Sequence, residues 1–414
     1  MILVTPADRA VWTALPAHRA WLATQMERQL VFARDFAHPG GGAAYLGDDG
    51  RPDLAQPVFT YVTARMAYVY SLGCVAGLPG CRPLAATAVA GLCGVLRDDV
   101  HGGWFASIGP GAVRDETKAA YAHAFVVLAA SSAAVAEVHG ARALLEDSLA
   151  VLDQRFWEEG PGLHRDSVSR DWSRSSAYRG VNANMHSVEA LLAAADATGE
   201  EVWLERAVRI TMTVLGWAAA NEWRVPEHFD EQWRPMMDHH RDRPDHAFEP
   251  YGATVGHGLE WSRLALHVAA CLGSSAPEEL LDGARRLFHR AVADGWAVDG
   301  ADGFVYTTDW DGAPVVRQRM HWVLAEAISA AGALHQVTGE PTYDAWYRTW
   351  WDYAATHLIA ADGSWQHELD ASNVPAATVW PGRPDIYHSL NATLLPRLPL
   401  APCASVALAR GLTA

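Results

Sequence analysis

Cysteine pairs, an excess of basic residues and long hydrophobic runs are all missing from this sequence. Its five cysteines are an odd number, and none of them forms a Cys-x-x-Cys pair. A secreted domain that depends on disulfides usually carries an even set of cysteines at close spacings. We therefore expect five reduced thiols, most of them packing residues, in a protein of the cytoplasm.

Basic residues are outnumbered by acidic ones. The chain carries 32 lysine and arginine residues against 48 aspartate and glutamate residues, a formal net charge of −16. Nucleic acids and anionic membranes bind proteins through clustered positive charge, so neither is an expected partner. Charged residues make up 19% of the chain and apolar residues 50%, which predicts a folded protein with a large core.

No stretch of the sequence is long and apolar enough to predict a membrane span. The most hydrophobic segment, residues 124–138, contains Ser131 and Ser132 and is too short to cross a bilayer. The first residues, Met1 to Val4, have neither the basic start nor the long apolar run of a secretory signal. We expect a cytoplasmic protein without a membrane partner, either a monomer or a homodimer.

Several catalytic and cofactor-binding motifs are missing as well. No Gly-x-Ser-x-Gly element, which would carry a hydrolase nucleophile, occurs in the chain. Gly40-Gly41-Gly42 is followed by Ala-Ala-Tyr instead of the Lys-Ser/Thr of a phosphate-binding loop, and no dinucleotide fingerprint follows a predicted strand. We therefore expect no cofactor.

A short element of glycine and aromatic or alternating polar residues recurs along the chain. Its copies stand roughly 55 to 80 residues apart, the size of a helical hairpin with its loops. Six copies predict six such hairpins. They are Tyr45-Leu46-Gly47, Gly102-Gly103-Trp104-Phe105, Gly162-Leu163-His164, Pro226-Glu227-His228-Phe229, Gly303-Phe304-Val305-Tyr306 and Gly363-Ser364-Trp365.

The segments between these copies predict two kinds of helix. Residues 201–219 and 342–357 are amphipathic and carry Trp and Arg, which is typical of half-exposed outer helices. Other segments are rich in Ala and apolar nearly all round, as expected of helices inside a ring. These inner segments are residues 59–76, 119–138, 184–197, 254–272, 320–337 and 385–395.

Together these patterns predict an all-α fold, an (α/α)6 barrel of six inner and six outer helices with short β-hairpin loops. No linker rich in Pro, Gly or Ser divides the chain, so we expect a single domain over residues 1–414. A superhelical array of helix pairs is the alternative architecture, and a non-catalytic scaffold would be its corresponding function.

The predicted inner helices carry polar or aromatic residues near their N-terminal ends. Many are three or four positions apart, which places both side chains on one face. If the inner helices run parallel, these ends meet at one mouth of the barrel and form a polar pocket. The residues are Tyr61 and Arg65; Lys118, Tyr121 and His123; Asn182 and His186; His257 and Glu260; Trp322 and Glu326; and Asp385 and His388.

Such a pocket is compatible with three kinds of chemistry. Histidines with a carboxylate could bind a metal, but His186-x-x-Glu189 and His257-x-x-Glu260 reverse the Glu-x-x-His order of di-iron bundles, and we expect no metal. Glu260 and Glu326 could be the two carboxylates of a glycoside hydrolase. Imidazoles could instead move a proton at a sugar carbon through an enediol, which needs a base with a pKa near neutrality.

Two further expectations concern the histidines. Placement near a helix N-terminus disfavours the imidazolium, so the pocket histidines should be neutral and able to accept a proton, with a neighbouring glutamate offsetting the shift. A second cluster, Asp238-His239-His240 with Asp242, Asp245 and His246, also has the composition of a metal site. Because it falls in a polar segment that contains proline, we expect a solvated loop there.

Ordered blocks of residues extend the pattern along nearly the whole chain. They are Thr-Ala-Arg-Met at 63–66, Gly-Gly-Trp at 102–104, Asn-Ala-Asn-Met-His at 182–186, Glu-His-Phe at 227–229, Gln-Trp at 232–233, Gly-His at 256–257, Glu-Trp at 260–261, Asp-Gly-Ala-Asp-Gly at 299–303, Asp-Ile-Tyr-His at 385–388 and Pro-Arg at 396–397. Together they resemble the N-acylglucosamine 2-epimerase superfamily, in the branch that contains D-mannose isomerases and sulfoquinovose isomerases.

The resemblance implies an (α/α)6 barrel that isomerises a sugar without a metal, and it implies a role for each residue. His388 would remove the C2 proton and return it to C1, and His257 would be the partner acid/base. His186 and Glu260 would orient the substrate and the catalytic imidazole, while Arg65 would hold sugar oxygens. The binding pocket would be completed by Tyr121, Asn182, Trp322, Glu326 and Asp385.

Three departures from the sulfosugar pattern bear on the substrate. Residues 247–249 read Ala-Phe-Glu where a basic residue is expected, Pro384 replaces an expected glutamine, and Tyr61 stands where a tryptophan is usual. Glu249 would be a poor neighbour for a sulfonate, so we expect an uncharged monosaccharide. D-mannose to D-fructose is the leading reaction and D-lyxose to D-xylulose the second. The alternatives are a mannose or cellobiose 2-epimerase, a sulfoquinovose isomerase and an (α/α)6 glycoside hydrolase.

Overall fold

Helices that are buried nearly all round alternate along the chain with helices that are buried on one side. The computed structural model describes residues 10–414, so the expectation about Met1 to Val4 lies outside the described residues. The inner helices are α2 (Thr60–Val75), α4 (Ala120–Val135), α6 (Val181–Thr198), α8 (Val255–Leu272), α10 (His321–Thr338) and α12 (Tyr387–Leu394). The outer helices are α1 (Pro16–Phe32), α3 (Cys81–Cys93), α5 (Ala141–Val151), α7 (Glu201–Ala220), α9 (Glu278–Gly295) and α11 (Pro341–Tyr353).

The inner helices form a closed ring. Each packs against the next in chain order, and α12 returns to α2. The outer helices α3, α5, α7, α9 and α11 each pack on the inner helix that precedes them, whereas α1 packs mainly against α12 at the other end of the chain. The short helix α13 (Ala404–Ala409) packs across α2, α4 and α6. The predicted (α/α)6 barrel is therefore confirmed, and each predicted inner segment overlaps one inner helix.

Composition explains which helices lie inside. All of α4 from Ala122 to Ala133 is buried, and its alanines leave room for neighbouring helices on every side. In contrast, α9 buries only one face, with Leu287 and Phe288 among its core residues. Gly199 ends α6 in the left-handed conformation that favours glycine, at a φ of 77°, so that the chain can turn into α7.

Short antiparallel strands lie in the loops between the helices. They are β1 (Tyr45–Leu46), β2 (Pro52–Asp53), β3 (Val58–Phe59), β4 (Ser107–Ile108), β5 (Arg114–Asp115), β6 (Lys118–Ala119), β7 (Trp157–Glu158), β8 (Leu163–His164), β9 (Ser167–Val168), β10 (Arg179–Gly180), β11 (His228–Phe229), β12 (Ala253–Thr254), β13 (Thr307–Thr308), β14 (Pro314–Val316), β15 (Arg319–Met320) and β16 (Glu368–Leu369).

The pairing of these strands repeats around the ring. The strands β3, β6, β10, β12 and β15 each lead directly into an inner helix, and each pairs with a strand in the loop that follows the next outer helix. Because the pairing is the same each time, the N-terminal ends of the inner helices open on one face of the barrel. Within residues 10–414, no helix has the length and apolar content of a membrane span.

Candidate active site

A cavity of about 790 Å³, measured out to its open mouth, lies where the N-terminal ends of the inner helices meet. Every inner helix and several loops contribute to its wall. The lining residues are Tyr61, Arg65, Tyr121, Asn182, His186, Ala247, Phe248, Pro250, His257, Glu260, Tyr306, His321, Trp322, His367, Trp380, Pro384, Asp385 and His388.

His388, which the resemblance identifies as the base, is the second residue of α12 and is buried. Its Nδ1 atom lies 2.9 Å from Oε1 of Glu326. Since a carboxylate accepts a hydrogen bond, Nδ1 carries the hydrogen and Nε2 is the basic atom. Burial lowers the pKa of His388 below 6.5, and the hydrogen bond to Glu326 offsets part of this shift. His388 is therefore a neutral imidazole at neutral pH, the form that accepts a proton.

One buried arginine lies among three carboxylates beside His388. Nε of Arg263 is 2.8 Å from Glu326, Nη2 is 3.5 Å from Glu260, and Nη1 is 3.9 Å from Glu189. A single positive charge cannot balance three buried carboxylates, so they cannot all be ionised with equal ease.

The surroundings of Glu326 and Glu260 shift the pKa values of these two carboxyl groups in opposite directions. Burial raises the pKa of Glu326, but Arg263 and His388 outweigh burial and hold this pKa well below its usual value. For Glu260, burial and the nearby charge of Glu326 raise the pKa well above its usual value. At neutral pH, Glu326 is thus a carboxylate and Glu260 a carboxylic acid, so the two similar side chains differ in charge.

Glu326 does not line the cavity, in contrast to the expectation that it contacts the sugar. It lies behind His388, between the imidazole and Arg263. Trp322, one helical turn earlier on α10, occupies the cavity wall instead. Glu326 therefore contacts the imidazole, and the indole contacts the cavity.

His257 is held by a residue to which the sequence analysis assigned no role. Its Nδ1 atom lies 2.8 Å from Oε2 of Glu227, just before β11. Trp322 lies beside both imidazoles, with ring centroids 5.2 Å from His257 and 5.7 Å from His388. Residue 256 is glycine because a Cβ atom there would come within 2.3 Å of the Trp322 ring. Gly256 thus allows the indole to reach the wall beside His257.

Arg65 is oriented by two neighbours. Its Nη1 donates to Asp385 at 3.0 Å, and its Nη2 donates to the Tyr121 hydroxyl at 2.9 Å. Burial raises the pKa of Asp385, but Arg65 outweighs burial and keeps this pKa below its usual value, so the pair is ionised. A guanidinium fixed in this way can hold sugar oxygens and stabilise negative charge on them.

Several buried polar atoms of the predicted site residues have no hydrogen-bond partner among residues 10–414. They include Nδ1 of His186, both carboxyl oxygens of Glu260 and Oδ1 of Asn182. Buried polar atoms usually have partners, so these atoms are available for the hydroxyl groups of a ligand. Burial lowers the pKa of His186 well below its usual value, which leaves it neutral.

The sequence analysis missed several cavity residues, among them two pairs of aromatic rings. His321 and His367 stack with centroids 3.7 Å apart, and burial lowers the pKa of His321 to about 3. Phe248 and Trp380 meet at 4.9 Å. His321 could have been found, because it starts α10 immediately before Trp322. The other three lie in loops, where no periodic pattern marks them.

Besides Glu326, two members of the predicted polar set, Lys118 and His123, lie outside the cavity. Lys118 Nζ is buried and lies 3.0 Å from Asp98, while Nε2 of His123 accepts a hydrogen bond from the backbone of Trp104 at 3.1 Å. Both stabilise loops around β6 and α4. Of the three polar residues predicted here, only Tyr121 reaches the cavity.

The positions that depart from the sulfosugar pattern can now be located. Ala247, Pro384 and Tyr61 line the cavity. A pyrrolidine ring thus stands where an amide was expected, and the segment 247–249 contributes Ala247 and Phe248 to the wall instead of a base. Glu249 is not a lining residue, and its carboxylate lies 2.8 Å from Nε2 of His239. The wall thus lacks charge at these positions, and Glu249 belongs to a different cluster.

Two groups in or beside the cavity have the composition of a metal site. His186, Glu189 and Glu260 form one, and Glu260, Glu326 and His388 form the other, each with donor atoms within 4.8 Å of one another. In both groups, the guanidinium of Arg263 already lies beside the carboxylates. The chain therefore supplies its own cation to these donors.

Comparison with known proteins places this site in a family. The sequence matches the N-acylglucosamine 2-epimerase (GlcNAc 2-epimerase) family over residues 41–392. A D-mannose isomerase of Thermobifida fusca is 51% identical over 403 residues, which cover 96% of this chain and 99% of that protein. A D-mannose isomerase of Pseudomonas cannabina pv. alisalensis is 47% identical over 406 residues, covering 96% and 97% of the two chains. A solved structure of a D-mannose isomerase, 28% identical, has a TM-score of 0.86 and covers 92% of this chain and 99% of the other. The chain belongs to the N-acylglucosamine 2-epimerase family, and it is an isomerase enzyme.

Proposed function

We propose that this protein interconverts D-mannose and D-fructose through an enediol by histidine acid/base catalysis, without a metal, and that D-lyxose and D-xylulose are a second substrate pair. The observation that carries the proposal is the neutral His388 at the cavity wall, hydrogen-bonded to the ionised Glu326 that lies behind it. The two D-mannose isomerases that are 51% and 47% identical over nearly the full chain support the same reaction.

The first chemical step is removal of the C2 proton of the open-chain aldose. Nε2 of His388 takes this proton, and the electron pair of the C–H bond forms the C1–C2 double bond of the enediol. Glu326 stabilises the imidazolium that results, because its carboxylate accepts the hydrogen bond from Nδ1. Arg65 stabilises the negative charge that develops on the sugar oxygen.

The second step moves the protons that complete the ketose. The former carbonyl oxygen on C1 takes a proton from an acid in the cavity, and the hydroxyl on C2 gives up its proton. The protonated Glu260 is suited to donate, and His257, held by Glu227, is suited to shuttle the hydroxyl proton and to assist ring opening. His388 then returns its proton to C1. The proton that His257 took from the C2 hydroxyl passes back to Glu260 through the sugar hydroxyls or solvent, so every group regains its starting form and the reaction consumes no other reactant.

The cavity wall favours an uncharged sugar. At the positions where the sulfosugar pattern has a base and an amide, Ala247 and Pro384 offer no partner for a sulfonate. Nδ1 of His186, the carboxyl oxygens of Glu260 and Oδ1 of Asn182 provide neutral hydrogen-bonding groups. These groups suit the hydroxyls of D-mannose.

A 2-epimerase is the second candidate, since two imidazoles, His257 and His388, both lie beside Trp322. If the enediol could be protonated at C2 from its opposite face, mannose would become glucose. The glycoside hydrolase alternative has less support. Donor atoms of Glu260 and Glu326 lie within 4.8 Å of each other, and Glu326 does not line the cavity, whereas a hydrolase needs its two carboxylates on either side of the scissile bond.

The test is incubation of the purified protein with D-mannose in D₂O, followed by NMR. Fructose as the main early product is the expected outcome. Because His388 returns the proton that it removed, deuterium enters at C1 only when that proton exchanges with the solvent before its return. Glucose without fructose would replace the proposal by a 2-epimerase. A parallel incubation with a chelator checks the metal: activity that is lost and then restored by one divalent ion would contradict the metal-free reaction.

We infer in addition that the chain works in the cytoplasm as a single domain. Its five cysteines are free thiols, which suits a reducing compartment. The closed ring of inner helices draws on segments from α2 to α12, so no part of the ring is expected to fold alone.

A further inference from the structure

A row of histidines lies outside the cavity, in β11 and in the segment between β11 and β12, residues 230–252. The rings of His228, His239, His240 and His246 follow one another with centroids 4.6, 4.0 and 4.5 Å apart. We expected a solvated loop here. The three aspartates of this cluster, Asp238, Asp242 and Asp245, are exposed as expected. The histidines differ, because the side chains of His239 and His240 are only 20% and 13% exposed and both face Glu249.

The three side chains converge on one point. Nε2 of His239 lies 2.8 Å from Oε2 of Glu249, and Nδ1 of His240 lies 3.8 Å from the same oxygen. All three donor atoms lie within 4.8 Å of one another. Atoms bound to a tetrahedral zinc ion at about 2.0–2.2 Å are about 3.3–3.5 Å apart. The distance from Glu249 to His239 is shorter than this range, and the distance from Glu249 to His240 is longer. The main-chain oxygen of Glu249, 2.7 Å from His240 Nδ1, adds a further oxygen at this point.

We propose that His239, His240 and Glu249 form a binding site for a divalent transition-metal ion such as zinc, separate from the active-site cavity. Imidazole nitrogens with a carboxylate oxygen are ligands that such ions prefer. The site does not depend on the proposed sugar reaction, because none of its three ligands lines the cavity.

The surroundings orient these ligands before an ion arrives. The His239 ring stacks on Tyr178 at 5.3 Å, and the backbone N–H of Glu249 donates to His246 at 3.1 Å. Nε2 of His228 lies 2.8 Å from the main-chain oxygen of Pro250, which fixes the chain just after Glu249. Partners of this kind increase metal affinity because they hold the ligands in the binding geometry.

Arg243 would compete with a metal ion for the imidazole of His240. Nη2 of Arg243 lies 2.5 Å from Nε2 of His240. An arginine can only donate, so Nε2 accepts and the hydrogen of the ring is on Nδ1, which faces Glu249. To bind an ion, His240 must move this hydrogen to Nε2, and Arg243 must move away. Arg243 is exposed and can do so, but it competes with the metal.

An ion at this site would be connected to the cavity wall through the backbone on either side of Glu249. Glu249 lies between Phe248 and Pro250, and both of these neighbours line the cavity. An ion that ties Glu249 to residues 239 and 240 would therefore restrain one part of the cavity wall. It would do so without touching the residues of the proposed acid/base chemistry.

Direct binding of Zn²⁺ to the full-length protein, freed of tags and treated with a chelator, tests the proposal by calorimetry and equilibrium dialysis. We expect one Zn²⁺ site that His239→Ala and Glu249→Gln each weaken by at least tenfold. Arg243→Ala should tighten binding, because it removes the competing donor. His139→Ala, which removes an exposed histidine elsewhere on the surface, is the matched control and should change nothing.

The variant Glu260→Gln separates this site from an ion bound in the cavity. It changes a donor in the cavity and should leave Zn²⁺ binding at His239, His240 and Glu249 unchanged. Binding that is absent in the wild type, or equally tight in His239→Ala and Glu249→Gln, would overturn the proposal. Glu249→Gln keeps the shape of the side chain, and Arg243→Ala predicts a gain, so a folding defect cannot imitate both results. Zn²⁺ binding is measured without sugar, so the outcome is separate from that of the isomerase assay.

Discussion

The Nδ1 atom of His388 donates a hydrogen bond to Glu326, and the other carboxyl oxygen of Glu326 lies 2.8 Å from Nε of Arg263. These three side chains connect the cavity wall to a cation that is almost completely shielded from water. In such a low-dielectric setting, charges and hydrogen bonds affect one another more strongly than they do in solvent. The basicity of the proposed catalytic imidazole therefore depends on residues that no substrate touches.

Replacing His388 by glutamine should lower kcat for mannose isomerisation by about 10²–10⁴-fold, the range for loss of a positioned general base. KM should change much less, since the other wall residues remain. NMR of fructose formation and of deuterium exchange measures both the overall reaction and the proton transfer. His139→Ala provides a control for loss of a histidine. A variant at position 388 with more than a tenth of the wild-type rate would assign proton removal to another group.

The pH dependence should report the link between His388 and Glu326. The base must be neutral, so kcat/KM should fall as the pH drops through the pKa of His388, which lies below 6.5. The negative charge of Glu326 favours the imidazolium, and Glu326→Gln should lower the pKa of His388 further. The acid limb of the profile should therefore move to lower pH, while the plateau rate decreases. An acid limb that does not move would belong to a different residue.

Arg263 should act as a positioning residue for both glutamates. Arg263→Lys keeps the charge but loses the planar fork that faces Glu326 and Glu260, so we expect a folded protein with at least tenfold lower kcat and an altered pH profile. Arg263→Met removes the charge and leaves buried carboxylates unpaired, which should destabilise the fold by about 3–5 kcal/mol. A lysine variant with the wild-type pH profile would show that Arg263 has only a structural role.

A methyl group at residue 256 should disturb the cavity wall. In Gly256→Ala the new Cβ atom would lie 2.3 Å from the Trp322 ring, so the indole must move, at a cost of about 1–3 kcal/mol in unfolding free energy. KM for mannose should also rise, because the indole of Trp322 lines the cavity. Gly216→Ala is a matched control on the exposed face of α7, where nothing lies within 4 Å. It should stabilise the helix by about 0.5–1 kcal/mol. Equal effects of the two variants would contradict the packing argument.

The closed ring predicts that the described chain unfolds as one unit. Because α12 packs against α2, the two ends of the barrel depend on each other, and the C-terminal helix α13 packs across α2, α4 and α6. Circular dichroism and tryptophan fluorescence should report the same denaturation midpoint. Two separated transitions would indicate that the chain contains two domains and would refute the single-domain proposal.

Local patterns in the sequence were sufficient for the architecture. An inner helix such as α4 is apolar on all sides, and α9 is apolar on one side only, so composition alone separates the two layers. Gly199, placed after an apolar run, predicts the end of α6. These signals are local because helix formation and helix ends depend on residues within a few positions of one another.

Helical spacing correctly predicted that most of the candidate site residues share one cavity. It was wrong for residues whose depth in the fold decides whether they reach that cavity. Trp322 and Glu326 are four positions apart and share a face of α10, yet the first lines the cavity and the second lies behind His388. Lys118 and His123, close to Tyr121 in sequence, bond to loops instead. Spacing along a helix specifies a direction, whereas the depth of a side chain depends on what packs against it.

Contacts between distant parts of the chain account for the rest. Glu227 meets His257 from a hairpin loop, Arg263 meets Glu326 across two helices, and His239 meets Glu249 within a folded loop. None of these pairs has a periodic spacing that a sequence pattern could reveal. The positions of the helices, and whether each lies in the inner or the outer layer, follow from local composition. The ionisation and hydrogen bonding of the site residues depend on distances and burial that arise only after the ring has closed.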